Sequence, residues 1–170
     1  NINPEKVHVI YNAVDTDFFS PNDTGIEEVS SGLFFLVPRR LVPKNGVHIA
    51  IDAMKYVKAP VQLWIAGDGE ERKNLERLVS TLGLEEKVKF LGFVDSKEMV
   101  SLMNQTKGII IPSIPVSGVI EASSISALEG MSVGKPIIAS NIGGLQEIIK
   151  DKETGLLFEP GNSKQLAELM

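Results

Sequence analysis

The sequence has 170 residues, of which 43% are hydrophobic and 23% charged, as expected for one ordinary globular domain. A net charge of −5 argues against nucleic-acid binding, and the absence of cysteine excludes disulfide scaffolds, thiolate metal sites and cysteine nucleophiles. The two histidines are too isolated in the sequence to predict a metal site. No apolar run approaches the roughly 18 residues of a membrane span, and the composition is compatible with a cytoplasmic protein.

Short apolar runs alternate with helix-like segments from residue 33 onward. The predicted strands are 33–37, 61–67, 87–92, 108–113, 135–140 and 155–158; the predicted helices are 46–57, 70–83, 96–105, one within 121–136, 143–150 and 163–170. Gly83 is predicted to end the second helix and Ser96 to cap the third. Continuous apolar strands, each followed by a helix, predict an α/β domain with an open, doubly wound (Rossmann-like) parallel sheet of about six strands.

The carboxyl ends of the strands are where such a sheet binds ligands, so the loops after residues 37, 66, 92, 111 and 139 are the candidate site. The loop after the first strand contains a basic cluster, Arg39, Arg40 and Lys44, in a chain that is acidic overall. Such a cluster suits a phosphate or pyrophosphate, although a solvated basic turn would have the same composition.

Two glycine pairs follow other strands. Gly67 and Gly69 begin a G-x-G-x-x-G pattern, but Arg72 stands in place of the third glycine, which argues against a dinucleotide-binding dehydrogenase. A tight turn into a helix is the simpler interpretation of this pair. Gly143 and Gly144 permit either a close backbone approach to a ligand or a plain turn.

The stretch EASSISALEGMSVGKP at 121–136 begins with Glu121 and has a second glutamate, Glu129, eight residues later. In a helix these positions are separated by about 12 Å. The pair could therefore accept hydroxyls at two ends of an elongated ligand, and it is too widely spaced for glycosidase carboxylates, which lie about 5–9.5 Å apart. The backbone N–H groups of residues 122–125 could bind an anion at the helix start. Alternatively, Ser126 and Glu129 have the spacing of a capping box.

Several longer segments occur together in one order: VIYNAVDTDFFSP at 9–21, RRLVPKNGVHIAIDAM at 39–54, LWIAGDGEERKNLERLVSTLGLEEKVKFLGFV at 63–94, and the E-x7-E block that continues to TGLLFEPGN at 154–162. They resemble the carboxyl-terminal, donor-binding half of GT-B glycosyltransferases of the retaining family 4 type, the glycosyl transferases group 1. The resemblance implies an inter-domain junction at 1–32 and a nucleotide-sugar-binding domain at 33–170 that is truncated in its last helix.

The resemblance also implies roles for individual residues. Arg40 and Lys44 would neutralise the diphosphate leaving group, Glu121 would bind the hydroxyls of the transferred sugar, and Glu129 would bind the ribose. Further donor contacts are expected from the residues around these: Ala122, Ser123, Ser124, Ile125, Gly92, Phe93, Arg39 and Asn45.

One position departs from the family pattern. The lysine that usually precedes the glycine of the K-G pair is replaced by Asn45, with Lys44 one residue earlier. Either Lys44 reaches into the site, or a shifted loop lets Arg39 and Lys44 recreate the usual spacing.

The function implied by the resemblance is transfer of a hexosyl group from a nucleoside diphosphate sugar to a hydroxyl acceptor, with retention and without a metal or other cofactor. We expect the sequence to be part of a longer cytoplasmic protein whose absent amino-terminal half binds the acceptor, with membrane-surface contact through that half as an open alternative. Alone, the chain would bind nucleotide but catalyse nothing. A noncatalytic nucleotide-sugar-binding module, and a phosphorylase or epimerase of the GT-B type, are the alternative functions.

Overall fold

The computed structural model describes residues 6, 8, 10–21, 33–118, 120 and 123–170. Its strands are β1 Leu33–Pro38, β2 Val61–Ala66, β3 Val88–Gly92, β4 Gly108–Ile111, β5 Ile137–Ser140 and β6 Leu156–Phe158. Its helices are α1 Val47–Ala53, α2 Arg72–Leu82, α3 Ser96–Gln105, α4 Ile125–Ser132, α5 Leu145–Ile148 and α6 Ser163–Leu169. In the described ranges no helix combines the length and the apolar composition that a bilayer crossing requires.

The six strands form one parallel sheet in the order β3-β2-β1-β4-β5-β6. The predicted α/β fold, an open, doubly wound, Rossmann-like parallel sheet of about six strands, is confirmed. The strand order reverses between β1 and β4, because the chain moves outward through β2 and β3 and then returns to the other side of β1. In an open parallel sheet this reversal leaves a crevice at the carboxyl ends of the two strands, and ligands bind there.

The sheet is covered on both faces, and its strands show why. Successive strand side chains point to opposite faces, so Val37 packs in one core cluster while Leu36 packs in the other. The first cluster includes residues of α1, α2 and α6, and the second includes residues of α3, α4 and α5. Both faces are therefore apolar, which explains the continuous hydrophobic runs in the sequence.

The helix ends differ from the predictions in three places. Asp95, not Ser96, caps α3, because its carboxylate accepts the backbone N–H of Glu98 at 2.9 Å. Helix α1 ends at Ala53 and α5 covers only four residues, so both are shorter than their apolar patterns predicted. Gly83 ends α2 with a φ of 64°, as predicted.

The described part of the junction segment packs along α4. The Phe19 ring is buried in the second core cluster, and the Ser132 hydroxyl donates to the Phe19 carbonyl oxygen. Nearer the start of α4, the Asn12 side-chain amide donates to the Ser123 hydroxyl at 2.5 Å. Residues 10–21 are thus attached to both ends of this helix.

Candidate functional site

A cavity of about 380 Å³ opens at the reversal point between β1 and β4. It lies where the loop after β1 meets the start of α4, at the carboxyl edge of the sheet. Its lining residues are Asn12, Pro38, Arg39, Arg40, Val42, Lys44, Asn45, Ser123, Ser124, Ile125 and Ser126. The structure thus brings together most of the sequence-predicted site residues from two separate loops.

The loop after β1 is fixed by close backbone contacts on both sides. A Cβ on Gly46 would lie 1.9 Å from the carbonyl oxygen of Pro112, and one on Gly67 would lie 2.1 Å from that of Arg39. Backbone hydrogen bonds join the same loops. Towards the loop after β4, the Ile114 N–H donates to the Lys44 carbonyl at 2.9 Å. Towards the loop after β2, the Leu41 N–H donates to the Asp68 carbonyl at 2.9 Å. The loop is therefore held between the loops that follow β4 and β2.

The basic cluster of this loop divides into buried and exposed members. Arg40 and Lys44 are exposed where they line the cavity, whereas Arg39 and Asn45 are buried. The side-chain amide of Asn45 donates to the Arg40 carbonyl at 2.7 Å, so Asn45 fixes the backbone beside an exposed cation. Only Arg40 and Lys44 of these four therefore present mainly solvent-accessible side chains to a ligand.

The start of α4 forms the other side of the cavity. Ser124 is its N-cap, with a hydroxyl that accepts the N–H of Ala127 at 3.3 Å, and the Ser126 hydroxyl donates to the Pro38 carbonyl at 3.1 Å. The capping-box interpretation of Ser126 and Glu129 is therefore wrong, because Glu129 lies in the second turn and Ser126 does not cap. Of the amides predicted to bind an anion, that of Ile125 belongs to the first helical turn.

Glu129 is half-buried, and among the described residues no hydrogen-bond or ion-pair partner of its carboxylate is found. Burial raises the pKa of the Glu129 carboxyl above its ordinary value, because desolvation disfavours the charged form. Glu129 is one turn beyond Ser126 on α4, about 4.5 Å further along the helix axis, and it does not line the cavity. Glu129 thus carries an incompletely solvated carboxylate in the second turn of α4, beyond the residues of this helix that line the cavity.

Replacement Glu129→Gln is expected to raise the melting temperature at pH 7.5, on the order of 2 °C for a chain of this size. A carboxyl whose folded pKa exceeds its unfolded pKa stabilises the fold below the unfolded value and loses that contribution as pH rises through the folded one. The difference between the variant and the wild type should therefore be largest at neutral pH and vanish near pH 4. Thermal melts across this range, with the exposed Glu85→Gln as a control, would contradict the account if both variants behaved alike.

Besides Glu129, four predicted site residues lie away from the cavity or outside the described part of the chain. Glu121 and Ala122 lie outside the described residues. Gly92 and Phe93 follow β3, two strands from β1, and do not line the cavity; the Phe93 side chain is 84% exposed. Their roles stay predictions.

Three polar residues that the structure connects to this site were not among the site residues predicted from the sequence. Asn12 and Ser126 line the cavity, and buried Ser113 accepts a hydrogen bond from Arg39 at 3.0 Å. Asn12 stands in the first of the resembling segments, and Ser113 is the last residue of the fourth predicted strand, which the structure ends at Ile111. Their positions near predicted site segments could have marked them as candidates, but their contacts with the site depend on how the loops fold.

The family model for glycosyl transferases group 1 matches residues 22–170. The uncharacterized glycosyltransferase MJ1607 of Methanocaldococcus jannaschii is 33% identical over 180 residues, and this match covers 98% of the chain and 44% of that relative. The chain therefore spans less than half the length of the curated relatives that it matches.

Solved structures of similar proteins share the fold. HepE of Anabaena, in complex with UDP-glucose, superposes with a TM-score of 0.86 at 30% identity, covering 98% of this chain and 47% of that one. The C-terminal domain of the group 1 glycosyl transferase LpcC of Francisella tularensis superposes with a TM-score of 0.79 at 28% identity, covering 92% and 85% respectively. The LpcC structure is that of a C-terminal domain alone.

Proposed function

Since the chain belongs to the glycosyl transferases group 1 family and has the fold of its carboxyl-terminal domain, we propose that it is the half of a glycosyltransferase that binds a nucleoside diphosphate sugar. The observation that carries this proposal is the cavity at the β1–β4 reversal, which Arg40 and Lys44 line together with the first turn of α4. Fixed cations and helix N-terminal amides are the groups that bind a diphosphate. HepE, a structural neighbour, forms complexes with UDP and with UDP-glucose.

The donor would lie along α4. Its diphosphate would bind between the two cations and the amide of Ile125, and its ribose hydroxyls would donate to the Glu129 carboxylate. A half-buried carboxylate without a partner in the described structure suits a diol, which supplies two donors. Glu121, which the family pattern places eight residues before Glu129, would bind the transferred sugar.

The chemical contribution of this half is electrostatic. When the bond between the anomeric carbon of the sugar and the diphosphate breaks and the acceptor oxygen bonds to that carbon, negative charge develops on the departing diphosphate. Preorganised cations lower the barrier by stabilising that charge. Arg40 and Lys44 are the residues assigned to this role. The resemblance supports the finer proposals of hexosyl transfer, retention and independence of metal ions. In the full-length enzyme these predict activity in EDTA and a product with the anomeric configuration of the donor.

The acceptor, by this proposal, is a hydroxyl compound bound by the amino-terminal half, and a cytoplasmic location with contact to a membrane surface through that half belongs to the same proposal. Because catalysis needs both halves, the 170-residue chain is expected to transfer no sugar. A measurable transfer rate from this chain would contradict the division of roles.

Calorimetric titration of the chain with UDP, GDP, ADP and CMP tests the proposed function. One diphosphate should bind, and at a hundred times its dissociation constant it should stabilise the fold by about 2.7 kcal/mol. Arg40→Gln and Lys44→Gln should each weaken binding about tenfold, as expected for loss of a charge-assisted hydrogen bond. Lys58→Gln is the control, because Lys58 is exposed and precedes β2, at the amino-terminal ends of the strands and thus opposite the cavity.

Two results would count against the proposal. If none of the four nucleotides binds, the cavity of this chain does not support the proposed donor site. Equal loss of affinity in the Lys58 and Arg40 variants would show only a general effect of charge. Binding that persists while the full-length protein transfers nothing would instead favour a noncatalytic module, the alternative motivated by Asn45 in place of the family's lysine.

A further inference from the structure

The Arg39 side chain, which lines part of the cavity, connects three separate segments of the chain. Its Nη1 donates to the Ser124 hydroxyl at 3.1 Å, and its Nη2 donates to the Asn45 side-chain oxygen at 2.6 Å and the Ser113 hydroxyl at 3.0 Å. Asn45 belongs to the loop after β1, Ser113 to the loop after β4, and Ser124 is the N-cap of α4. We call these four residues the Arg39 clamp.

The clamp members are all buried. Arg39 is 8% exposed, and the three acceptors are between 1% and 6% exposed. A guanidinium has several N–H donors in one rigid plane and can therefore bind three acceptors at once. The ammonium of a lysine has its N–H donors on a single nitrogen at the end of a flexible chain, so it cannot reach the same three acceptors in this geometry. The clamp thus depends on the shape of the arginine side chain and not on its charge alone.

The clamp is also connected to the groups that would contact a ligand. The Ser124 hydroxyl that receives Nη1 accepts the Ala127 N–H in the first turn of α4, and Asn45 donates to the Arg40 carbonyl. Movement of the Arg39 guanidinium would therefore move both walls of the cavity, the cationic loop and the helix start.

From this geometry we infer that Arg39 is a positioning residue, which sets the distance between the cations of the β1 loop and the first turn of α4 and thereby determines donor affinity. This inference rests on the proposed function and changes one expectation from the sequence, in which Arg39 binds the donor directly. Both terminal nitrogens of Arg39 already bind protein oxygens, and the residue is buried, whereas Arg40 beside it is exposed.

A double-mutant cycle on nucleotide affinity tests this inference. The variants are Arg39→Lys, Ser113→Ala and their combination, with the exposed Arg77→Lys as the matched control, and the probe is whichever of UDP, GDP and ADP the wild type binds best. Arg39→Lys keeps the charge but should raise the dissociation constant about tenfold. Ser113, which is buried and does not line the cavity, should add little when it is replaced in the Arg39→Lys background, because the two act as one unit.

The alternatives give different results. If Arg39 contributes only charge, Arg39→Lys binds like the wild type, whereas an additional variant that removes the charge, Arg39→Gln, binds more weakly. If Arg39 contacts the donor independently of Ser113, the two losses multiply. Either result would overturn the positioning role.

Amide hydrogen exchange in the ligand-free chain separates this inference from the proposed function. Arg39→Lys should accelerate exchange about tenfold at Ala127, whose N–H donates to the clamp residue Ser124, and at Ile114, which directly follows the clamp residue Ser113. Exchange at Val79 in α2 should not change. Unchanged exchange at the first two amides overturns the clamp, whatever the nucleotide titrations give. A wild type that binds none of the nucleotides contradicts the proposed function instead, and the exchange result still decides the role of Arg39.

Discussion

Replacing Glu129 with glutamine is expected to weaken nucleoside diphosphate binding about 30-fold, or roughly 2 kcal/mol, even though the same change stabilises the unliganded fold. The carboxylate accepts hydroxyl donors strongly because it is charged and partly desolvated, and the same desolvation makes it unfavourable in the free protein. Opposite effects on affinity and stability are typical of a binding residue and not of a structural one. Calorimetry gives the affinity, and thermal melts give the stability.

Glu85→Gln is the control for this prediction, because Glu85 is an exposed glutamate outside α4. It should leave both affinity and stability close to the wild-type values. A Glu129→Gln chain that binds the nucleotide normally would remove Glu129 from the site. A variant that loses both binding and stability would instead indicate a structural role in α4.

Gly46→Ala is expected to destabilise the fold by roughly 3–4 kcal/mol and to reduce nucleotide binding at temperatures where the variant remains folded. Gly46 has a φ of 62°, which is unfavourable for any residue with a Cβ, and the new methyl group would lie 1.9 Å from the Pro112 carbonyl oxygen. The β1 and β4 loops would have to separate, which widens the cavity between them. Urea denaturation measures the free energy of unfolding.

Gly83→Ala isolates the steric part of this effect. Gly83 has almost the same φ, 64°, but a Cβ there would meet no atom within 4 Å. Its replacement should cost only the backbone strain, about 1 kcal/mol. Equal losses of stability in the two variants would mean that the contact between the β1 and β4 loops contributes little.

Much of the fold could be predicted from periodicity, because both faces of the sheet are covered. The strands therefore appear as uninterrupted apolar runs such as GIII at 108–111, and the intervening helices have 3.6-residue spacing. Strand order is not encoded in these local patterns. The reversal between β1 and β4, which locates the cavity, emerges only from the packing of the whole sheet.

The sequence was sufficient to predict which loops form the site, but not which side chains of those loops face the cavity. Arg39, Arg40 and Lys44 form one basic cluster in the sequence, and nothing local distinguishes them. The structure separates them because the β1 loop is fixed by its neighbours: Arg39 points inward to buried hydroxyls, and the other two are exposed. The capping-box pattern at Ser126 failed for a related reason, since its hydroxyl is used by the Pro38 carbonyl across the crevice.

The most direct test of the central claim is to locate a bound nucleoside diphosphate by NMR chemical-shift mapping of the 170-residue chain titrated with UDP, GDP and ADP. We expect saturable shifts for one of them, centred on the backbone amides of 39–46 and 123–129 at the β1–β4 crevice. Shifts centred on another edge of the sheet, or none with any of the three, would contradict the assignment of this cavity as the donor site.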